Sequence, residues 1–183
     1  LDLEAGFDKF DLAPFGPLLG SVLSDVRGNA TGRATIAGSL SEPEIDGRLY
    51  LNDAGMRVPY LNVDYAFEKN AIIDVTEHQF SFRKVEVSDT KYDTKGVLDG
   101  SIRHKKFGDW QLDLHLDSNN ILALDTEDNE DAYYFGTAFM KGKASITGSV
   151  DALNIKVAGE SEKGTSIKIP VNDSEDIGDN SFI

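Results

Sequence analysis

The sequence predicts an all-β protein, built as an antiparallel meander of about ten to twelve strands. Three observations support this prediction. Apolar and polar residues alternate along most of the chain, short turn signals separate the alternating segments, and one such segment recurs. Residues 140–150 show the pattern, because every even position is apolar or glycine and every odd position is polar. A period of two is typical of a strand with one dry face and one wet face.

The other strands are predicted from the same alternation. Their dry positions, in chain order, are Ala30, Gly32, Ala34, Ile36, Gly38, Leu40, Ile45, Gly47, Leu49, Leu51, Leu61, Val63, Tyr65, Phe67, Gly96, Leu98, Gly100, Ile102, Trp110, Leu112, Leu114, Leu116, Leu153, Ile155, Val157, Ile167 and Ile169. Phe80 and Phe82 continue the pattern, but Val85 and Val87 follow on the opposite parity. This slip of one residue predicts a β-bulge or a tight turn between Phe82 and Val85.

Short turn signals lie between the predicted strands. They combine glycine, proline and small polar residues at 41–43, 53–55, 68–70, 106–109, 117–120 and 162–164. Such short connections favour antiparallel neighbours, because a parallel pair needs a crossover of a dozen or more residues.

One segment departs from the alternation and predicts a short amphipathic helix at about 14–26. Its apolar residues fall at helical spacing and are Phe15, Leu18, Leu19, Val22 and Val26. Pro14 suits the first turn of a helix, and Gly28 lies just beyond the end. We expect this helix to lie on one end of the sheet.

An internal repeat supports a regular architecture. Residues 32–45 align with residues 142–155 at an offset of 110, and Gly, Ala, Ile, Gly, Ser and Ile coincide. A degenerate third copy lies at 96–102. Glycines on the dry face leave room for a close neighbour or allow the sheet to curl.

The composition excludes several classes of function. The formal net charge is −14, from 32 acidic and 18 basic residues, which argues against a nucleic-acid partner. The chain has no cysteine, so it forms neither disulfides nor zinc–thiolate sites.

Catalytic and metal-binding motifs are absent from the sequence. It contains no Gly-x-Ser-x-Gly elbow, no phosphate-binding glycine loop and no His-Glu-x-x-His motif. The histidines His78, His104 and His115 lack ligand spacing, so we expect them to be solvated. The acidic stretch 125–131 lacks the glycine and the terminal glutamate of an EF-hand loop, and we expect a solvated hairpin loop. We therefore predict no enzymatic activity, no metal and no cofactor.

The aromatic residues allow two interpretations. They could stack on sugars, but most share parity with aliphatic neighbours, which favours a dry interior; the residues are Phe67, Phe80, Phe82, Trp110, Phe135 and Phe139. Strands with one dry face can form a two-sheet sandwich, a closed barrel or an open trough. Periodicity alone leaves these three architectures open.

Four sequence features resemble the TamB family of Gram-negative envelope proteins, within the AsmA-like group. The first is the repeated Gly-x-Ala-x-Ile-x-Gly-x-Leu/Val segment, followed by a strand with isoleucine. The second is Leu-Ser-Asp-Val-Arg-Gly-Asn-Ala-Thr-Gly at 23–32, after the predicted helix. The third is Leu-Asp-Thr at 124–126 with Tyr-Tyr-Phe-Gly-Thr-Ala-Phe at 133–139, and the fourth is Gly-Thr-Ser-Ile-Lys-Ile-Pro at 164–170. The similarity covers about residues 10–172 and is to the C-terminal region of Bacteroidetes-type members.

The resemblance implies an open half-pipe, or β-taco, with an apolar interior. It implies a periplasmic location as part of a protein anchored in the inner membrane. It also implies two non-enzymatic roles: phospholipid movement between the membranes, and outer-membrane protein assembly with a barrel partner of the TamA or BamA type. We accordingly expect residues 1–172 to form a single curled β-sheet domain, and residues 173–183 to form an acidic, flexible tail.

The dry positions then become a predicted lipid groove for phospholipid or other acyl chains. Its residues are Ala34, Ile36, Leu40, Leu49, Leu51, Val63, Phe67, Phe80, Phe82, Leu98, Ile102, Trp110, Leu112, Leu114, Leu116, Ala144, Ile146, Val150 and Ile155. Because an isolated trough has unpaired edges, we also expect an edge-strand dimer of this chain. The alternative is an extracellular or periplasmic β-sandwich that binds glycans or mediates adhesion through exposed aromatics.

Overall fold

Within the part of the chain that the structure describes, an antiparallel sheet of 11 strands forms the framework. The computed structural model describes residues 2–19, 22–39, 43–128 and 133–170. The strands are β1 (Asp2–Asp11), β2 (Ser24–Gly38), β3 (Pro43–Val58), β4 (Val63–Phe67), β5 (Ala71–Thr76), β6 (Gln79–Asp89), β7 (Lys95–Lys105), β8 (Gly108–Thr126), β9 (Phe135–Ser149), β10 (Ala152–Ser161) and β11 (Ser166–Lys168). The predicted all-β class and strand number are confirmed.

The strands follow one another across the sheet as a meander. Their order is β1-β2-β3-β4-β6-β7-β8-β9-β10, with every pairing antiparallel. β5 pairs with the first half of β3 and with β6, so β4 and β5 share one place in the order. β11 pairs with the start of β9. This single curled sheet fits the predicted open half-pipe and differs from a two-sheet sandwich.

The pairing register aligns the dry positions into rows that cross the sheet. One row runs through Phe7, Gly32, Leu49, Ile73, Phe82, Gly100, Leu114, Ile146 and Ile155. Cross-strand partners share a face, so these residues define one apolar face of the sheet. Nine strands at about 4.8 Å spacing make this row roughly 38 Å long.

The predicted helix at 14–26 was wrong in type and length. A short 3-10 helix spans Ala13–Leu19, and the strand β2 already includes Val26. Pro17 lies inside the short helix, and proline removes a backbone donor that a longer α-helix would need. Val26, which continued the helical spacing in the sequence, therefore belongs to the beginning of β2.

Register shifts bend the long strands. The predicted slip is confirmed as a shift between Phe82 and Val85. Strand β8 carries two more shifts, between Ser118 and Ile121 and between Leu122 and Leu124. As a result the neighbours Ile121 and Leu122 are both buried, which strict alternation forbids.

The bent part of β8 reaches β4 and closes one end of the trough. The Tyr65 hydroxyl donates to the carbonyl oxygen of Leu122 at 2.6 Å, and the Asp125 amide donates to the carbonyl oxygen of Leu61 at 3.0 Å. Burial raises the pKa of Tyr65, and the nearby charge of Asp89 adds to the effect. The main core lies here and includes Val63, Tyr65, Val87, Leu98, Ile121, Leu122, Phe139 and Met140.

Two glycines allow the backbone of the neighbouring strand to approach closely. A Cβ on Gly32 would lie 2.1 Å from the carbonyl oxygen of Arg48, and one on Gly100 would lie 2.1 Å from that of Asp113. Gly100 also has a φ of 126°, which side chains disfavour. These two glycines are required by close strand pairing in the sheet.

Candidate functional site

The apolar face changes from buried to open along the sheet. In the middle strands, Ile73 and Phe82 are buried. Further along the same row, Leu114 and Ile146 are half-buried, and Ile155 is 49% exposed. One part of this face that a ligand can reach therefore lies on β8, β9 and β10. We call it the open groove, formed by Leu114, Leu116, Ala144, Ile146, Ile155 and Val157.

The structure distributes the predicted groove residues over three environments. Seven are buried in the core: Ala34, Leu51, Val63, Phe82, Leu98, Trp110 and Leu112. Ten are partly buried: Ile36, Leu49, Phe67, Phe80, Ile102, Leu114, Leu116, Ala144, Ile146 and Val150. Ile155 is exposed, and Leu40 lies outside the described residues. Val150 sits in the turn between β9 and β10, whereas the other described residues lie on the apolar face.

A series of contacting aromatic side chains covers the apolar face near β1 to β6. The ring of Phe15, on the 3-10 helix, lies 6.1 Å from the ring of Phe10 and 6.4 Å from that of Phe80. Phe7 contacts Phe10 at 5.7 Å. Phe15 thus bridges the first strand and the middle of the sheet and covers this part of the apolar face.

Trp110 lies in an aromatic cluster beside the turn between β7 and β8. Its ring centroid is 6.4 Å from that of Phe80 and 5.1 Å from that of His104. His104 also stacks on Phe107 at 4.6 Å, and its Nδ1 accepts from the Phe107 amide at 3.3 Å. Because Trp110 is buried, it offers no surface for stacking on a sugar. The expectation of a solvated histidine was wrong for His104, which is buried.

The burial of His104 makes stability depend on pH. Burial lowers the pKa of His104, and the charge of His78 lowers it further. As pH falls through about 6.5, the unfolded chain binds a proton that the folded chain does not, so stability falls. We expect His104→Gln to reduce the loss of Tm between about pH 7.5 and pH 5.5. An unchanged loss of Tm in His104→Gln, measured in thermal melts at the two pH values, would contradict this role.

The opposite face of β6 to β10 is polar. A depression of about 1390 Å³ is lined by residues of this face together with Leu116, Ala144 and Val157 of the open groove. Its polar lining includes acidic residues and four lysines, Lys84, Lys95, Lys143 and Lys156. Lys95 pairs with Glu86 at 2.7 Å, and Lys143 lies 3.7 Å from Asp117. Such exposed ion pairs add little stability but keep this face hydrated. An acyl chain is therefore expected on the apolar side chains of the open groove and not against these ion pairs.

The acidic stretch begins with a tethered carboxylate. Asp125 accepts a hydrogen bond from Lys91 at 2.5 Å and one from Thr137 at 2.8 Å. Burial alone would raise the pKa of Asp125, but these two hydrogen bonds outweigh it and lower the pKa. The expected solvated loop therefore does not include Asp125, and residues 129–131 lie outside the described part. Within the described residues, no three His, Asp or Glu side chains are grouped to hold a metal.

The outer edges of β1 and β10 have no strand partner within the described ranges. β10 exposes Ile155 and Val157, so its edge combines free backbone groups with apolar side chains. Such edges pair readily with other strands. The edge-strand dimer stays a prediction.

Sequence reasoning missed the buried residues at the closed end. Ile121, Leu122, Leu124 and Met140 were not among the predicted groove residues, yet all four are buried. The run Ile-Leu-Ala-Leu at 121–124 is the signal that could have identified the first three, since a continuous apolar run indicates burial on both sides, and Met140 lies on the predicted dry parity.

Comparisons with known proteins identify one family. The family model described as the TamB C-terminal domain matches residues 83–183, more than half of the chain. The match includes the open groove and most of the core at the closed end. No curated protein and no solved structure matches the chain.

Proposed function

The chain belongs to the TamB family, and from this premise we propose that its open groove binds acyl chains of phospholipids that move between the two membranes. The family is a non-enzymatic component of transport and assembly in the Gram-negative envelope, and in general terms it works with a TamA-type partner. No helix among the described residues is long and apolar enough to cross a membrane. A periplasmic location, within a protein anchored in the inner membrane, is part of this proposal.

The open groove at the end of the apolar row is the observation that carries the proposal. It spans three strands, roughly 10 Å at about 4.8 Å spacing. The exposed and half-buried side chains of β8 to β10 supply the surface that part of an acyl chain would contact.

The energetics favour such a groove. Each methylene transferred to water costs about 0.8 kcal/mol, so a sixteen-carbon tail costs on the order of 12 kcal/mol. A partly open apolar face removes most of this cost, and because the face is not enclosed the tail can also leave. The polar face and the charge of −14 keep the sheet hydrated from the other side.

The edge of β10 supports the second family theme, outer-membrane assembly. An unpaired strand edge can accept another strand through backbone hydrogen bonds. The outer edge of β10 is unpaired among the described residues and lies beside the open groove. A strand of a TamA-type or BamA-type barrel is the partner that this edge would suit.

Ligand retention tests the acyl-chain proposal. Native mass spectrometry of the chain purified from the envelope should show bound phospholipid, and the delipidated chain should bind a fluorescent fatty acid. A folded chain that shows neither signal would contradict the proposal.

A further inference from the structure

Tyrosines concentrate on one end of the sheet. Four of the six tyrosines are exposed there: Tyr60, Tyr92, Tyr133 and Tyr134. They belong to the turn between β3 and β4, the turn between β6 and β7, and the segment before β9. Tyr60 is 68% exposed and Tyr133 is 89% exposed. We call this surface the tyrosine end.

Hydrogen bonds hold the three segments together. The Tyr60 and Tyr134 hydroxyls lie 2.9 Å apart, which joins the first segment to the third. The bond between Lys91 and Asp125 ties the second segment to the end of β8, and the Tyr92 ring packs on Phe139 at 5.1 Å. The four rings therefore belong to one surface supported by the closed end of the core.

The chemistry of this surface selects its partner. A tyrosine combines an apolar ring with a hydroxyl, which suits the boundary between hydrocarbon and headgroups in a bilayer. Exposed carboxylates of Asp93, Glu127 and Asp128 lie on the same connections. They outnumber the exposed Lys91, which is paired with Asp125, so the surface is acidic. Acidic groups repel anionic lipids, and the bilayer that fits is therefore one with zwitterionic headgroups.

We propose that the tyrosine end docks onto the headgroup region of a zwitterionic bilayer. This site is separate from the open groove, because the tyrosines lie at strand ends, whereas the groove crosses the strands.

Vesicle flotation of the whole chain tests this docking. The chain should float with vesicles of phosphatidylethanolamine and phosphatidylcholine. The triple variant Tyr60→Ser, Tyr92→Ser, Tyr134→Ser should bind at least about tenfold more weakly. Tyr50→Ser is the matched control, since Tyr50 is an exposed tyrosine within β3, and it should bind like the unmodified chain. Added phosphatidylglycerol should weaken binding, and salt should restore it by screening the repulsion.

A single variant covers the case in which the triple variant does not fold. Tyr133→Ser removes a ring with almost full exposure, so folding should be unaffected while flotation falls severalfold. The proposal is overturned if the chain does not float, if neither tyrosine variant reduces flotation, if phosphatidylglycerol strengthens binding, or if oligosaccharides compete with the vesicles. Ile146→Asp, which alters the groove alone, should still float; docking and acyl-chain binding can therefore fail independently.

Discussion

Ile146→Asp is expected to reduce fatty-acid binding by the delipidated chain at least about tenfold, because it places a carboxylate among the apolar side chains that we propose bind the acyl chain. Ile146 pairs with Leu114 on one side and with Ile155 on the other, at the centre of the open groove. Since Ile146 is only half-buried, the carboxylate stays hydrated and the variant should remain folded. We expect a cost of about 1–3 kcal/mol in the free energy of unfolding.

Ser145→Asp is the matched control for this result. Ser145 pairs with His115 and Lys156 on the polar face, so an added carboxylate there meets water and a lysine. Fatty-acid binding and the circular dichroism melt should both stay close to those of the unmodified chain. An unfolded Ile146→Asp would show that this position belongs to an ordinary core, and equal loss of binding in both variants would show that the face does not matter.

Leu122→Ala is expected to lower the free energy of unfolding by about 2–5 kcal/mol. Leu122 is 1% exposed, and its carbonyl oxygen accepts the hydrogen bond from Tyr65 that joins β8 to β4. The substitution leaves a cavity where the sheet closes on itself. For a chain of this size, each kcal/mol lowers Tm by about 2–4 °C, so thermal melts should show a large shift.

Leu3→Ala provides the comparison at the opposite extreme of exposure. Leu3 is 51% exposed on the edge strand β1, so the same change of side chain there should cost less than about 1 kcal/mol. Similar shifts in Tm for Leu122→Ala and Leu3→Ala would contradict the closed end described here. Fatty-acid binding by Leu122→Ala at a temperature below its Tm should be retained, because Leu122 lies outside the open groove.

The face of each regular strand could be predicted from the sequence alone. Ile36, Leu98 and Leu112 lie on the apolar face as their parity requires, because side chains in a regular strand alternate strictly. The bulge near Val85 was also predictable, since it shifts the parity of the sequence itself.

The closure of the trough could not be predicted in the same way. It depends on where β8 bends, and the register shifts around Ile121 and Leu122 follow from packing against β4, which is distant in sequence. The 3-10 helix is a similar case, because its length is limited by Pro17 and by the beginning of β2. The curled sheet therefore decides which dry positions are open and which are buried in the core. Sequence periodicity cannot distinguish the two kinds of position, because both have the same parity.

Site-specific photo-crosslinking in cells tests the open groove most directly. A photoreactive amino acid at position 155 would replace Ile155 on the apolar face, and one at position 156 would replace Lys156 on the polar face. Both positions are exposed on the same strand, so they differ mainly in the face that they present. We predict that irradiation attaches phospholipid at position 155 and not at position 156. Equal labelling at the two positions, or labelling at neither while the protein is folded, would contradict an acyl-chain groove on this face.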